Sequence, residues 1–368
     1  MIKHQMSFPI LGKEEKKNIL DCVESGWLSS RGKYIEKFEK LFADYCGTKY
    51  AVAVSNGTAA LQLALMAAGI KSGEEVIIPN LTFGATANAP MSMGINPVLV
   101  DVDRKTWNID VADIEKNISK ETKAIIPVHL YGLPCEMDKI RHIAQKYNLK
   151  VIEDSAEAHG AVFKKRKTGN WSDIGCFSFF GNKIITTGEG GMCTTNDKAL
   201  YRKMLIIRNN GMEPDRKYWH DIVGCNFRMT NMQAALGAAQ IMKLDKFIKK
   251  KRQIARWYME EIKKQKIEAY YQQEEKGVMS IWWMFTLILP KIKDMQKLIS
   301  YLESKDIASR PIFFPLSSMP AFSRLRKSKT LKNSLELAGK GISLPTNLKL
   351  ERKDIKEIVS ALKLYTSQ

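Results

Sequence analysis

Residues 175–191 read Gly175-Cys176-Phe177-Ser178-Phe179-Phe180-Gly181-Asn182-Lys183-Ile184-Ile185-Thr186-Thr187-Gly188-Glu189-Gly190-Gly191. The segment opens as an apolar run suited to a buried strand, breaks at Gly181, presents one lysine and enters a glycine-dense turn. A lysine just past a strand end, among small and apolar neighbours, sits where its amine is partly desolvated. Desolvation disfavours the ammonium and frees the amine to attack a carbonyl. By itself the segment also reads as an ordinary surface lysine beside a turn, in a chain rich in lysine. The decision rests with what the rest of the chain supplies.

Working outward, strands are predicted at 51–54, 75–79, 97–101, 124–128 and 151–153, and helices at 59–68, 85–93, 111–118 and 135–147. This alternation implies an α/β fold with a large, mostly parallel sheet sandwiched by helices. In such sheets ligands gather beyond the carboxyl ends of the strands. His129, Asp154 and Lys183 each follow such an end, so one cleft can collect them. Two amphipathic helices, near 14–24 and 34–45, come first, joined by a loop at 25–32 that holds Trp27 and Ser30. Beyond a loop-rich stretch at 209–231 come a small-residue helix at 232–242 and a long basic helix at 244–264. Strands near 281–289 and helices near 294–305 and 352–365 complete the chain. The shift divides it into a large domain, 1–245, and a smaller C-terminal α+β domain, 246–368.

The length of 368 residues suits one large and one small domain, and 45% hydrophobic content supports a substantial core. The formal net charge of +19 is unusual, and much of it lies in helix-like lysine runs that read as solvated faces. Its functional alternatives are attraction of a polyanionic substrate or binding to nucleic acid. No zinc-finger spacing or RNA-binding aromatic signature supports nucleic acid. Six scattered cysteines, none at metal-ligand spacing, read as free thiols in a reducing compartment. No apolar export signal and no unbroken membrane span are present, and a cytoplasmic location is expected.

The segment Ser55-Asn56-Gly57-Thr58 joins a strand to a helix start, where unpaired N–H groups, the helix dipole, a glycine and a hydroxyl suit an anion. The same residues also serve as an ordinary helix cap. Pyridoxal 5′-phosphate needs an amine for its aldehyde, a cradle for its phosphate, a carboxylate for its ring nitrogen and an apolar face. Lys183, then Gly57, Thr58 and Ser178, then Asp154, then Phe83 answer these needs in turn.

The motifs also carry a resemblance. Ser55 to Leu61, Glu74-Glu75-Val76-Ile77, Pro127-Val128-His129-Leu130-Tyr131-Gly132, Glu153-Asp154-Ser155-Ala156-Glu157-Ala158-His159-Gly160 and the Lys183 stretch resemble the DegT/DnrJ/EryC1/StrS family of sugar-nucleotide aminotransferases, from about Ile10 to the C-terminus. The resemblance implies a fold-type I, aspartate aminotransferase-like enzyme using pyridoxal phosphate and L-glutamate, a homodimer with its sites at the subunit interface. Lys183 would carry the cofactor and Asp154 would pair with its ring nitrogen. Glu157 takes a place that many members fill with Gln, near the phenolic oxygen. Ser178, Gly57 and Thr58 would hold the phosphate, with Asn226 reaching in from the partner, and Phe83 would stack on the ring. The same resemblance implies sugar-nucleotide contacts at Trp27, Ser30, His220, Arg310 and Phe314.

Lys217-Tyr218-Trp219-His220-Asp221, Asn226 to Asn231 and Ser309 to Pro315 are similar, more narrowly, to the GDP-perosamine synthases, which aminate C4 of GDP-4-keto-6-deoxymannose. Aminotransferases acting on UDP- or dTDP-linked keto sugars share much of this pattern. Cys225 and Phe227 stand where tyrosines are usual, and Ser317 where many members carry His. Two rivals remain: a sugar dehydratase, whose family members replace the lysine with His, and a non-catalytic regulatory or nucleic-acid-binding protein on the same fold. His129 and His159 read as structural, and Glu189 as ordering the glycine turn.

Overall fold

The computed structural model describes residues 2–213, 215–216 and 218–366; Pro214 and Lys217, in the loop singled out above, lie outside it. Its centre is an eight-stranded sheet in the order β1 (Tyr50–Val54), β9 (Gly191–Thr195), β8 (Ile174–Ser178), β5 (Lys150–Asp154), β4 (Thr122–Ile125), β2 (Glu75–Pro79), β3 (Asn96–Val100) and β14 (Arg326–Lys327). From β8 to β14 every neighbouring pair is parallel, and β9 alone runs against its neighbours. The central strands are buried along almost their whole length, which suits the apolar runs within β2 and β8 and leaves the β9 threonines buried as well.

Helices cover both faces. They include α3 (Gly57–Ala68), α4 (Ala85–Met91), α5 (Val111–Lys116), α6 (Met137–Lys146) and α7 (Lys198–Arg208). Ahead of them α1 (Lys13–Ser25) and α2 (Lys33–Cys46) pack against α8 (Asn231–Gln240). Gly237 makes that approach possible, since a Cβ there would lie 2.4 Å from the Phe38 ring.

The chain then runs through α9 (Leu244–Lys264) to a four-stranded antiparallel sheet, β10 (Tyr270–Tyr271), β12 (Phe285–Ile288), β15 (Gly341–Leu344) and β13 (Arg310–Pro311). Helices α10 (Met295–Ser304) and α12 (Arg352–Thr366) close a separate apolar cluster around it, while α11 (Lys332–Ala338) lies beside the large sheet's edge. Two segments return to the larger body. β11 (Val278–Met279) pairs with β6 (Val162–Phe163), which pairs with β7 (Arg166–Lys167). β14 adds the outer parallel strand beside β3.

The strand predicted at 281–289 is shorter in the structure. Trp282 turns into the left-handed region at φ 51°, and the amides of Ile281 and Trp283 bond to the carbonyls of Gly132 and Tyr131 instead. The six cysteines are unpaired. Among the described residues no helix is long and apolar enough to cross a membrane.

Candidate active site

Adjacent residues of a strand face opposite ways, and the end of β5 uses this to give two neighbouring carboxylates different environments. Glu153 turns into the protein. It accepts from the amides of Gly169 (2.8 Å) and Trp171 (3.0 Å) and from the Ser172 hydroxyl (2.6 Å), and lies 3.0 Å from His129 Nε2. Burial raises its pKa, but His129 and the other donors outweigh that and hold it below the usual range. His129 completes the structural set, its Nδ1 accepting from the Cys135 amide at 3.0 Å.

Asp154 turns the other way, into a cavity of about 860 Å³. Its Oδ2 accepts from the Thr86 hydroxyl at 2.8 Å, and its Oδ1 from the Ala156 amide at 3.3 Å. Burial raises its pKa, against the opposing pull of those donors and of Lys183. The carboxylate is anchored, but among the described residues it makes no ion pair within 4 Å.

Lys183 reaches the same cavity from the loop after β8. Its backbone amide closes a turn onto the Phe180 carbonyl at 2.9 Å. Behind it the threonines organise the glycine turn: the Thr186 hydroxyl donates to Phe179 O and the Thr187 hydroxyl to Glu189 O. Gly190 has no room for a side chain, a Cβ there lying 2.2 Å from Thr187 Oγ1. Glu189 lines the cavity, and its carbonyl binds the turn together.

The Lys183 side chain is 12% exposed, with Nζ 3.6 Å from Glu157 Oε1. Glu157 Oε2 accepts from the Tyr131 amide at 2.8 Å. Burial pushes the Glu157 carboxyl up to about 7. Burial also lowers the Lys183 amine, which Glu157 and Asp154 partly restore. Both members of the pair are driven toward their neutral forms, because the low-dielectric site penalises either charge.

On the other side, α3 begins at Gly57 with Asn56 as its cap, Asn56 Oδ1 accepting from the Ala59 amide at 2.9 Å. Ser178, at the end of β8, packs against this helix start so closely that a Cβ on Gly57 would lie 2.8 Å from its Cβ. Gly57, Thr58 and Ser178 therefore form one wall of the cavity, with helix-start N–H groups that need an acceptor. Phe83 lines it too, with its ring 62% exposed and tilted 5.8 Å from Phe313.

The residues expected to meet the sugar nucleotide are dispersed. Arg310, on β13, lines the cavity. Phe314 lies outside the lining and is 58% exposed, because the Phe313 amide bonds to the Tyr131 hydroxyl at 3.0 Å and the Phe313 ring stacks on Tyr131 and takes the wall position. Trp27 lines a second, smaller pocket with Asp21, Lys33 and Asn231. Asn231 ties down that loop by donating to the Trp27 carbonyl at 2.7 Å and, through its backbone amide, to Ser29 O. Ser30 in that loop and His220, whose Nδ1 lies 3.0 Å from Asn210 O, do not line the main cavity. Asn226, expected to serve a partner subunit, lines this chain's own cavity and accepts from Arg228 Nε at 2.9 Å.

Two aromatic residues of the site escaped the sequence reading. Trp283 lies with its ring 4.0 Å from Lys183 Nζ, and Tyr131 stacks between Trp283 and Phe313. Both sit in unusual backbone surroundings, Tyr131 itself at φ 54° and Trp283 directly after the left-handed Trp282. No residue pattern announces such turns.

Comparison with known proteins agrees with this architecture. The DegT/DnrJ/EryC1/StrS aminotransferase family matches residues 9–363. The chain is 44% identical to a GDP-perosamine synthase of Caulobacter vibrioides over 96% of both chains. It is 43% identical to one of Escherichia coli O157:H7, over 98% of this chain and 97% of that one. A solved E. coli GDP-4-keto-6-deoxy-D-mannose-3-dehydratase with bound hydrated PLP superposes with a TM-score of 0.90 at 27% identity, covering 98% of this chain and all of that one. A family match over nearly the whole length, together with a buried lysine that faces Glu157 and shares its cavity with Asp154, makes this chain a member of the DegT/DnrJ/EryC1/StrS aminotransferase family.

Proposed function

We propose that the protein is a pyridoxal phosphate-dependent aminotransferase that moves an amino group from L-glutamate to C4 of GDP-4-keto-6-deoxy-D-mannose, giving GDP-perosamine. The observation that carries the chemistry is the convergence of Lys183, Asp154 and Glu157 on one cavity bordered by the Gly57–Ser178 cradle. The observation that carries the substrate is the similarity of more than 40% to two GDP-perosamine synthases over almost the full chain.

The donor set suits the cofactor. The Gly57 approach to Ser178 leaves a shallow cradle at a helix start, matched to a phosphate. Asp154 is anchored through Thr86 and makes no close ion pair among the described residues, which a protonated ring nitrogen would supply. When bound, pyridoxal phosphate supplies an electron sink that stabilises negative charge on an amino-bearing carbon. Asp154 would keep the ring nitrogen protonated, and Phe83 would cover the ring.

Lys183 is the residue that moves protons. As a free amine in a desolvated site, it takes a proton from the carbon bearing the amine and returns it in the next step. Glu157, near neutrality in pKa and 3.6 Å away, holds that amine in the cavity. Arg310 would answer the negative charge of a nucleotide diphosphate or of the donor's carboxylate. On the same reading the enzyme is a cytoplasmic homodimer, with Trp27, Ser30 and His220 serving the partner's site. The chain divides near residue 245, and β11 and β14 reach back across that division.

The test is incubation with glutamate and, separately, GDP-, UDP- and dTDP-4-keto-6-deoxy sugars, with mass spectrometry to find which one gains an amine. Preference for the GDP sugar is expected. Preference for a UDP or dTDP sugar would overturn the substrate and leave the transaminase standing.

A further inference from the structure

Lys251, in the middle of α9, is 1% exposed. Its Nζ makes two hydrogen bonds, both to neutral acceptors: the Trp283 carbonyl at 2.9 Å and the Thr346 hydroxyl at 2.8 Å. The Thr346 hydroxyl in turn donates to the same Trp283 carbonyl at 2.9 Å. Holding an ammonium on two neutral oxygens in an apolar core is costly, and burial brings its pKa down to about 7. A lysine used only for packing has cheaper replacements, so the carbonyl it grips is the informative partner.

Trp283 is fixed at each of its polar atoms. Its carbonyl is held by Lys251 and Thr346, its amide donates to the Tyr131 carbonyl at 3.1 Å, and its indole Nε1 donates to the Asn182 carbonyl at 2.9 Å. The face of the ring then meets Lys183 Nζ at 4.0 Å. A closed circuit results. Lys183 faces Glu157, Glu157 accepts from the Tyr131 amide, Tyr131 accepts from the Trp283 amide, and the Trp283 ring returns to Lys183.

We infer that Lys251 is a positioning residue, which acts through the Trp283 carbonyl to hold the indole as the docking face for the Lys183 amine whenever that amine is free. The aromatic face attracts the ammonium and accommodates the neutral amine, so Lys183 stays within the site while it gains and loses a proton. The inference rests on the aminotransferase reading only for its purpose, since an amine released during turnover must remain close to the reacting carbon. The charged and titratable groups around Lys183 are Glu157, Asp154 and His159, with Tyr131, Cys176, Glu189 and Arg310 lining the same cavity. Lys251 reaches Lys183 through Trp283, not as a neighbouring charge.

The sign of the response separates these routes. Full-length protein freed of cofactor is treated with a trace of isotopically labelled acetic anhydride across a pH series, and mass spectrometry of the Lys183 peptide gives the midpoint of its reactivity. Trp283→Leu should move the midpoint down by about one pH unit, since the ammonium loses its aromatic partner. Lys251→Met should move it the same way by about half as much, and the double variant should match Trp283→Leu alone. Thr346→Val, which keeps the lysine and removes one of the two carbonyl bonds, should give a smaller downward shift and serves if Lys251→Met does not fold. An unmoved midpoint in both Lys251→Met and Thr346→Val, an upward one in Lys251→Met, or additive shifts in the double variant would overturn the proposal. An upward shift is what loss of a nearby positive charge alone produces. Because no cofactor or substrate is present, failure here leaves the aminotransferase reading intact.

Discussion

At the residue scale the active site is a set of side chains whose burial decides their chemistry. Lys183 and Glu157 are each pushed toward neutrality in the same low-dielectric pocket. On the proposed function, removing the amine removes both the attachment point and the proton carrier. Lys183→Ala should therefore lower steady-state turnover by about a thousandfold or more and abolish borohydride labelling at that position. Turnover at the parental rate would end the mechanism. His159 makes a different kind of case. It is buried among Phe42, Phe177 and Phe179, neither ring nitrogen has a hydrogen-bond partner among the described residues, and burial brings its pKa down to about 3. The native state thus refuses a proton that the unfolded chain accepts below about pH 6.5, so folding stability falls as pH drops through that range. Between pH 7 and pH 5 this one group should cost the cofactor-free protein about 2 kcal/mol. His159→Leu should remove that part of the slope, whatever its packing effect at neutral pH. Urea unfolding at the two pH values checks it, and an equal slope in parent and variant would refute the assignment.

At the element scale, the strand ends and one helix start do the positioning. Much of the order of strands and helices between residues 50 and 154 was legible, because most of those strands contain short apolar runs and helices such as α6 are amphipathic. The cleft followed from the rule that parallel strands end together. Hidden from that reading were β9 and α7, then β14, only two residues long, and the Tyr131 and Trp282 turns. The pairing of Gly57 with Ser178 was anticipated, but how closely they pack was not, since residues far apart in the chain create that contact. Gly57→Ala would place a methyl group 2.8 Å from Ser178 Cβ and 3.2 Å from its hydroxyl. The expected result is a folded protein with affinity for pyridoxal phosphate reduced by about tenfold or more, read by absorbance titration. Unchanged affinity would move the phosphate away from this wall.

At the scale of the whole molecule, the segment that follows the antiparallel sheet's β13 is stitched to the large sheet. Leu316 and Phe322, which follow β13, are buried in the cluster that includes Ile78 and Leu99 of the large sheet. The Leu316 amide bonds to Asn80 O and the Ser317 amide to Asn80 Oδ1. Arg326 then pairs with Glu75 at 2.8 Å. Leu316→Ala should cost about 3 kcal/mol and lower the stability of the large sheet, not of the C-terminal sheet alone. Hydrogen exchange resolved by peptide distinguishes the two, and loss of protection confined to β10, β12, β13 and β15 would contradict the stitching. The same scale explains the dispersed sugar-contact candidates. Trp27 and His220 lie on loops outside the cavity of their own chain, an arrangement that a twofold assembly would turn to use.

The sequence by itself determined the alternating α/β architecture and pointed to Lys183, Asp154, Ser178 and the Gly57-Thr58 helix start as candidates for one site, while the resemblance added the family and Glu157. These follow from local patterns, because periodicity, strand ends and helix starts are written in neighbouring residues. The Lys183 stretch, ambiguous alone, became decisive only in the company of those others. Tertiary structure alone decided that Glu153 is sealed by His129 while Asp154 faces the cavity, that Phe313 takes the wall in place of Phe314, and that Trp283 covers the lysine. The reason is physical: those outcomes depend on which distant groups desolvate, bond or crowd one another, and no window of adjacent residues contains that information.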